Sequence, residues 1–156
     1  MRELVGDLWD FVRWRKEGNN QPPWLVVPTN GKVNSRNEAV MGAGVAKEAA
    51  RRFPHIPREL GRLLMDHGNV VQRFTDLNYF EPFDLITFPT KGNWDDKSDL
   101  DLMRRSCRLL RPMAQAAHGL VVMPRVGAGL GRLPWSEVRA MLEAELPEDK
   151  FVVVSQ

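Results

Sequence analysis

The sequence predicts a three-layer α/β/α fold in which a mixed, largely parallel central sheet is flanked by helices. Short apolar segments alternate along the chain with longer amphipathic segments, a pattern typical of parallel strands joined by crossover helices. Three of the short segments, WLVV, LVVM and FVVV, are apolar at every position. Continuous apolar runs are typical of central strands covered on both faces, so we expect helices on both sides of the sheet.

Strands and helices are predicted in alternation along the chain. The predicted strands are 24–28, 70–74, 85–88, 120–123 and 151–154. The predicted helices, in which apolar residues recur at helical spacing, are 7–16, 45–53, 57–67, 99–117 and 136–146. Asp7 is a suitable N-cap for the first helix, and Pro112 is expected to kink or divide the fourth.

The composition favours one domain that spans residues 1–156. The chain has 156 residues, of which 43% are hydrophobic, and this is enough to bury a substantial core. Lysine and arginine number 22 against 20 for aspartate and glutamate, so the formal net charge is only +2. This balance argues against recognition of nucleic acid by bulk charge, and an anionic ligand must be held by local contacts.

Cysteine and histidine usage gives no sign of disulfides or bound metal. The lone Cys107 has no partner for an intramolecular disulfide, and the first residues lack the pattern of a signal peptide. No apolar run approaches the ~20 residues of a membrane span. His55, His67 and His118 have no metal-ligand spacing with Cys107 or with one another. We therefore expect a cytoplasmic monomer without a membrane partner, a metal or a cofactor.

Two glycine-rich segments each follow a predicted strand and precede a predicted helix. The first is MGAGVA at 41–46, and the second is RVGAGLG at 125–131. Glycine lets the backbone approach a ligand closely, and the N–H groups at the start of the next helix point toward it. A single glycine pair is as often a plain tight turn. Two such loops at neighbouring strand ends would form a cradle for a diphosphate.

Neither glycine segment matches the common nucleotide-binding motifs. A Walker P-loop needs a lysine and a serine or threonine after its last glycine, and neither segment has that pair. A dinucleotide-binding fingerprint needs a third glycine where Lys47 stands. A nicotinamide enzyme is therefore disfavoured, although the architecture still predicts a ligand at the carboxyl ends of the strands.

Five short motifs follow one another along almost the whole chain: GDL at 6–8, PTN at 28–30, MGAGVA at 41–46, FPTK at 88–91 and PRVGAGLG at 124–131. In this order they resemble the macrodomain family, whose members bind ADP-ribose. The FPTK motif with Trp94 and Ser98, and the second glycine segment with Leu133 and Trp135, are similar to the branch of the DarG-type antitoxins. Those proteins remove ADP-ribose from thymidine in DNA. The human terminal ADP-ribose protein glycohydrolase is also similar and has the same MGAG loop.

The resemblance implies a set of substrate-binding residues. Asp7, followed by Leu8, would accept a hydrogen bond from the adenine amino group, and a helix cap is the structural alternative for this carboxylate. The two glycine loops would cover the diphosphate and the distal ribose from opposite sides. The other implied positions are Thr29, Asn30, Met41, Gly42, Gly44, Val45, Thr90, Arg125, Val126, Gly127, Ala128, Gly129, Leu130 and Gly131.

The ribose contact that the resemblance gives to an asparagine has more than one candidate. Asn30 matches the family position at the end of a strand, but the segment 31–40 is longer than the usual connection. Asn34 or Asn37 could take the same role instead. An asparagine in a polar loop is more often structural, so the three alternatives stay open at this point.

Lys91 is the predicted catalytic residue, because the matching lysine is catalytic in the DarG-type and human relatives. Its amine could act as a general acid or base, or as a nucleophile that forms a Schiff base with the opened ribose. A lysine that only binds phosphate or solvent is the alternative. The human relative also has an aspartate in the second glycine loop, where this chain has Gly131. That difference favours the DarG-type branch or a protein that only binds.

The leading functional hypothesis is an ADP-ribosyl hydrolase that removes ADP-ribose from a modified macromolecule, with a DNA base as a candidate target. The alternatives are a non-catalytic module that binds ADP-ribose and a deacetylase of O-acetyl-ADP-ribose. The same fold can carry each of these functions, so the choice depends on the site.

Overall fold

The computed structural model describes residues 1–75, 77 and 82–156. The strands are β1 (Arg2–Val5), β2 (Trp24–Asn30), β3 (Gln72–Phe74), β4 (Asp84–Lys91), β5 (Val121–Pro124) and β6 (Phe151–Ser155). The helices are α1 (Phe11–Glu17), α2 (Gly44–Arg52), α3 (Ile56–His67), α4 (Leu100–Met113) and α5 (Trp135–Glu145), and a 3₁₀ turn (Ala114–Ala116) follows α4. Every helix in these described ranges is too short or too polar to cross a lipid bilayer.

The described strands form a six-stranded sheet in the order β1-β6-β5-β2-β4-β3. Neighbours from β1 to β4 in this order run parallel, and the edge strand β3 runs antiparallel to β4. The prediction of a mixed, largely parallel sheet is therefore confirmed. β4 is longer than predicted, so Lys91 is the last residue of the strand and does not lie beyond it.

Two hydrophobic cores lie on opposite faces of this sheet. Helices α1, α2 and α3 cover one face, where Leu25 and Val27 of β2 are fully buried. Helices α4 and α5 cover the other face, where Val26 of the same strand is fully buried. Successive residues of a strand point to opposite faces, so an apolar strand contributes to both cores. The three-layer prediction is confirmed.

Helix α1 begins four residues later than predicted. Its N-cap is Asp10, whose Oδ1 accepts a hydrogen bond from the Arg13 amide at 3.2 Å. The prediction that Asp7 caps the helix is wrong, because residues 7–10 form a turn in which the Asp10 amide donates to the Asp7 carbonyl. The Asp7 carboxylate accepts instead from the Trp9 amide at 2.9 Å.

The segment predicted as one helix over 99–117 is divided near Pro112, as expected. Pro112 lies inside α4, which continues for one more residue before the 3₁₀ turn begins. Proline removes one backbone donor, and its ring crowds the carbonyl four residues earlier. A proline so close to the end of a helix disturbs only the last turn.

The sequence pattern does not predict β1. Its residues, RELV, include two charged side chains and lack a clean alternation. They form a strand because they pair with β6 from Arg2↔Val152 to Val5↔Ser155. This edge strand therefore depends on a partner 150 residues away in the sequence, which a local pattern cannot reveal.

The central strands β2 and β5 separate toward their carboxyl ends. Their pairing joins Trp24 to Val121 and Leu25 to Val122 and stops there, although β2 continues to Asn30. The chain leaving β2 reaches α2 on one face of the sheet, and the chain leaving β5 reaches α5 on the other. Neighbouring parallel strands with connections to opposite faces open a crevice at their carboxyl ends.

Candidate functional site

A cavity of about 840 Å³ occupies this crevice. Its size falls within the range of roughly 300–1,000 Å³ that is typical of small-molecule sites. The lining residues come from the ends of β2, β4 and β5 and from the loops that follow them. They are Pro28, Thr29, Asn30, Val40, Met41, Gly42, Ala43, Gly44, Val45, Ala46, Thr90, Lys91, Trp94, Asp95, Asp96, Ser98, Pro124, Arg125, Gly127, Gly129, Leu130, Gly131 and Arg132.

The first glycine loop brings the start of α2 to the cavity. Gly44 has a φ of +58°, and the N-cap Ala43 makes no hydrogen bond through its side chain. Within the described part of the chain, the amides of Gly44, Val45 and Ala46 have no hydrogen-bond acceptor. The first N–H groups of a helix lack partners inside the helix and carry partial positive charge. This end of α2 is therefore suited to hold an anion.

The second glycine loop, 125–131, is held in shape by its own backbone. The Leu133 amide donates to the Gly127 carbonyl at 3.0 Å, and the Arg132 amide donates to the Gly129 carbonyl at 3.1 Å. The amides of Gly129, Leu130 and Gly131 are left without an acceptor among the described residues. The loop thus carries a second group of free backbone donors.

The two glycine loops face each other across the cavity. A Cβ atom built on Gly44 would lie 3.6 Å from Cδ1 of Leu130, so the Leu130 side chain reaches across the opening. This side chain is 65% exposed. Both loops therefore border the same cavity, and the convergence of their free donors on one ligand stays a prediction.

The glycines of these loops are required for different reasons. A Cβ on Gly127 would lie 2.8 Å from Sδ of Met103, and one on Gly131 would lie 2.5 Å from the Gly127 carbonyl oxygen and would clash with Ser98 Oγ. At Gly42 and Gly129 a Cβ would meet no described atom within 4 Å. Gly131 is required by the backbone packed against it, and Gly127 is favoured by its φ of +75°. The described structure does not require glycine at positions 42 and 129.

Lys91 lies at the end of β4, on the wall of the same cavity. The register pairs Thr29 with Pro89 and Asn30 with Lys91, so Thr90 forms a β-bulge. Thr90 and Lys91 both line the cavity, although consecutive residues of a regular strand point to opposite faces. Asn69 Nδ2 donates to the Lys91 carbonyl at 3.1 Å. Among the described residues the Nζ atom of Lys91 has no hydrogen-bond or ion-pair partner, and it is free to contact a ligand.

The loop that follows Lys91 is fastened to the second glycine loop. Arg132 donates through Nη2 to the Asp95 carbonyl at 3.2 Å, and the Ser98 amide donates to the Gly131 carbonyl at 3.0 Å. The Ser98 hydroxyl is buried and has no hydrogen-bond partner among the described residues. Trp94, in contrast, is 59% exposed at the cavity wall.

The asparagines that were alternatives for a ribose contact have structural hydrogen bonds. Asn30 lines the cavity, but its Nδ2 donates to the Val40 carbonyl and its Oδ1 accepts from the Lys32 amide. Asn34 Oδ1 accepts from two amides of its own turn, those of residues 36 and 38. Asn37 has a φ of +61° and packs its carbonyl against α3 at Gly61. Asn37 is not among the described lining residues, and its role as a ligand contact stays a prediction.

The structure gathers most of the predicted site residues at the cavity but leaves some outside. Those that line it are Lys91, Thr29, Asn30, Met41, Gly42, Gly44, Val45, Thr90, Arg125, Gly127, Gly129, Leu130 and Gly131. Besides Asn37, the described lining does not include Asp7, Leu8, Val126 or Ala128. Leu8 and Val126 are buried in the two cores. Asp7 is exposed, and its role at adenine stays a prediction.

Sequence reasoning missed several lining residues. Arg132, which has a φ of +62°, follows the predicted loop directly, and Asp95 and Asp96 lie in the loop after Lys91. Trp94 and Ser98 belong to the motif that carries the family resemblance, and the resemblance allowed Trp94 to flank the pocket, but neither residue was among the predicted substrate contacts. Their position depends on the hydrogen bonds between the two loops, for which no sequence signal exists.

Two further groups have ordinary structural partners. The guanidinium of Arg125 lies over the Trp135 ring and 3.7 Å from the Glu3 carboxylate. Cys107 lies in the core between α4 and α5, where burial raises the pKa of its thiol to about 12. Among the described residues, no three or more histidine, cysteine, aspartate or glutamate side chains are grouped as metal ligands.

Comparisons with known proteins agree with this geometry. No protein-family model matches the chain. A curated protein of Thermus aquaticus, named DNA ADP-ribosyl glycohydrolase, is 28% identical over 136 residues, or 78% of this chain. The chain spans only 35% of that relative's length.

Several of the similar solved structures are named macrodomains. The macrodomain of Thermus aquaticus DarG has a TM-score of 0.73 and 23% identity, over 99% of this chain and 97% of that one. The macrodomain of Mycobacterium tuberculosis DarG has a TM-score of 0.68 and 22% identity, over 99% and 97% of the two chains. Thermosipho africanus DarTG in complex with ADP-ribose has a TM-score of 0.68 and 18% identity, over 86% of this chain and 38% of that one.

Proposed function

We propose that this chain, which has the macrodomain fold, is an ADP-ribosyl hydrolase. In this proposal ADP-ribose binds in the crevice between the two glycine loops, and the bond between its distal ribose and a modified target is hydrolysed. A DNA base is the first target to test, because the relative named above is a DNA ADP-ribosyl glycohydrolase. Lys91 is the group that carries the chemistry.

The observation that carries the proposal is the open space at Gly42 and Gly129. Neither position has a φ in the left-handed range that favours glycine, and neither has a neighbour that excludes a side chain. The fold itself would therefore accept another residue there. Glycine at both positions is explained by a ligand that comes close to the backbone of both loops.

The free amides between these positions suit the diphosphate of ADP-ribose. One set belongs to the start of α2, and the other belongs to the second glycine loop on the opposite wall. Backbone N–H groups at a helix start bind phosphate oxygens through hydrogen bonds and the helix dipole. Two sets of donors on opposite loops can supply hydrogen bonds to both phosphates.

Lys91 can use its amine in two ways. As a general base it takes a proton from the water that attacks C1 of the distal ribose, and it returns that proton to the departing target group. As a nucleophile it forms a bond to C1 while the bond from C1 to the target breaks. The ribose ring then opens to a Schiff base, and water hydrolyses it to free ADP-ribose and the original amine.

The second loop offers no carboxylate to assist the amine at position 131. The clash of any Cβ at Gly131 with Ser98 Oγ means that this backbone has no room for an aspartate side chain. In the described cavity lining, the carboxylates belong to Asp95 and Asp96. Both residues lie in the loop after Lys91. The same observation favours the second candidate function, a module that binds ADP-ribose without cleaving it.

The test is release of ADP-ribose from an ADP-ribosylated single-stranded DNA oligonucleotide and from a protein modified on glutamate. The wild-type chain is expected to release ADP-ribose from at least one of them. Lys91→Ala is expected to abolish turnover while calorimetry still detects ADP-ribose binding, because the backbone donors remain. Lys91→Arg keeps the charge but cannot act as a base or nucleophile, and it is the matched control.

The two candidate functions give different results in this experiment. Binding of ADP-ribose with no turnover on either substrate would contradict the hydrolase proposal and favour the binding module. Failure to bind ADP-ribose would contradict both. Trapping with cyanoborohydride separates the two routes, since only the Schiff base can be reduced to a stable adduct on Lys91.

A further inference from the structure

The end of β4 extends beyond the regular part of the sheet. In the described structure, β3 pairs with β4 only as far as Gln72↔Thr87, and β4 continues for four more residues, to Lys91. On the side of β2, the bulge at Thr90 interrupts the pairing. A bulge leaves its extra residue unpaired and disturbs the ladder around it. The sheet alone therefore constrains the backbone around Lys91 only weakly.

Four consecutive carbonyls at this end, those of residues 89–92, each accept a hydrogen bond from outside the strand. The donors are, in that order, Ser106 Oγ at 2.8 Å, the Asp99 amide at 2.8 Å, Asn69 Nδ2 at 3.1 Å and the Gly31 amide at 2.9 Å. The third carbonyl is that of Lys91. Its donor, Asn69, lies in the loop between α3 and β3, so this side chain acts in place of a strand neighbour.

The Asn69 amide has one partner, and that partner is Lys91. Its Oδ1 is buried and has no hydrogen-bond partner among the described residues. An exchange of the two amide atoms would place Oδ1 against the Lys91 carbonyl oxygen, so the donor is the nitrogen. A buried acceptor without a partner destabilises the folded state. The one contribution of this amide that offsets that cost is its hydrogen bond to the Lys91 backbone.

Gly31 leaves space for the Asn69 amide. Its φ lies outside the left-handed range that favours glycine. A Cβ atom on Gly31 would lie 2.9 Å from Asn69 Nδ2 and 3.1 Å from the Gly92 carbonyl oxygen. Any side chain at position 31 would therefore displace the amide. Two residues far apart in the sequence are thus adapted to one hydrogen bond on Lys91.

We infer that Asn69 is a positioning residue that holds the backbone of Lys91 so that its amine faces the cavity. The inference rests on the proposed function, in which that amine carries the chemistry. A regular strand would turn either Thr90 or Lys91 away from the cavity, whereas the bulge lets both line it. Asn69 is outside the described cavity lining, so it acts through Lys91 and does not touch the substrate.

The experiment measures two quantities for the wild type and for Asn69→Leu. They are the single-turnover rate of ADP-ribose release, on the substrate that the wild type cleaves, and the calorimetric affinity for ADP-ribose. Leucine has a branched shape similar to that of asparagine but cannot donate to Lys91. The rate should fall at least about tenfold, since a displacement of about 1 Å can cost roughly a hundredfold. The affinity should change less than about twofold, because the donors of both glycine loops remain.

A second variant, Gly31→Ala, displaces the amide without removing it. It should lower the release rate in the same direction as Asn69→Leu and by a smaller factor, again with little change in ADP-ribose affinity. This variant decides the question if Asn69→Leu does not fold.

Thr87→Val is the matched control. Thr87 lies on the same strand and exchanges hydrogen bonds with the Gln72 backbone, but it is outside the described cavity lining. The variant removes a buried side-chain hydrogen bond and leaves those of residues 89–92 intact. It should lower the urea midpoint and keep the release rate within about twofold of the wild type. Asn69→Leu should lose rate while its urea midpoint stays closer to that of the wild type.

Three results would overturn the inference. The first is a release rate within about twofold of the wild type in Asn69→Leu, or an unchanged rate in Gly31→Ala. The second is an equal loss of rate and of ADP-ribose affinity, which would show that Asn69 supports the whole site. The third is an equal loss of rate in Thr87→Val. Each of them leaves the wild-type activity in place, so the proposed function would stand; no release by the wild type would remove both.

Discussion

At position 131 the chain has room for glycine alone, whereas at position 129, two residues earlier, a side chain would meet open space. The difference lies in the neighbours. Gly131 is enclosed by the Gly127 carbonyl and Ser98 Oγ, while nothing described lies within 4 Å of a Cβ on Gly129. Two glycines that look alike in the sequence thus differ: the fold requires Gly131, whereas in the proposed function a ligand accounts for Gly129.

This contrast predicts opposite effects for the two alanine variants. Gly131→Ala should lower the free energy of unfolding by roughly 1–3 kcal/mol, because the backbone must move to admit the methyl group. Gly129→Ala should change it by less than about 0.5 kcal/mol but should weaken ADP-ribose binding at least about tenfold. Urea unfolding and calorimetry measure the two quantities. Similar losses of stability in both variants would contradict the distinction.

At the level of elements, the start of α2 has the backbone of a capped helix but lacks the capping side chain. Ala43 has φ −149° and ψ 157°, the extended conformation that N-cap residues adopt, and alanine cannot supply an oxygen. Helices α1 and α4 have aspartate caps, Asp10 and Asp99. An uncapped start leaves its N–H groups free, and here those groups line the cavity.

A cap added at Ala43 is expected to increase stability and to reduce binding. Ala43→Asp should raise the free energy of unfolding by about 1 kcal/mol, since its carboxylate accepts from the free amides. The same carboxylate competes with the diphosphate and repels it, so ADP-ribose affinity should fall by about tenfold or more. Ala43→Ser should show both effects more weakly. If stability and affinity change in the same direction, the free amides of α2 are not the anion site.

At the scale of the whole molecule, the two cores hold the sheet, and the cavity lies where the sheet opens between them. Cys107 belongs to the core formed with α4 and α5 and is fully buried. Burial raises the pKa of its thiol from 9.0 to about 12, because the thiolate would lose its hydration. The thiol therefore packs in the core as a neutral group. Its raised pKa makes the free energy of unfolding depend on pH.

The raised pKa sets the direction of that pH dependence. Below pH 9 both the folded and the unfolded chain keep the thiol proton, and the contribution to stability is complete. As the pH rises from about 9 to about 12, the unfolded chain loses the proton while the folded chain retains it, so unfolding becomes easier. Urea unfolding of the wild type and of Cys107→Ala should therefore give a stability difference that shrinks above pH 9. Parallel curves up to pH 11 would contradict the assignment.

Much of the fold follows from local patterns in the sequence. The apolar runs of β2, β5 and β6 predict central strands, and the helical spacing of α3 and α5 predicts those helices within one residue at their start. Prediction of strands and helix ends from the sequence is less successful where a contact between distant residues determines the local structure. β1 forms only because it pairs with β6, and the cap of α1 shifts from Asp7 to Asp10 because a turn precedes the helix.

The sequence by itself determined the α/β/α layering, the two glycine loops and the lysine at the end of a strand, because these depend on residue type and on periods of two to four residues. The tertiary structure alone decided which glycines have open space, that Asn37 packs against α3, and that Trp94 stands exposed beside Lys91. These features depend on contacts between segments far apart in the chain. Examples are the hydrogen bond from Arg132 to the Asp95 carbonyl, which joins the loops after β4 and β5, and the contact of the Asn37 carbonyl with α3.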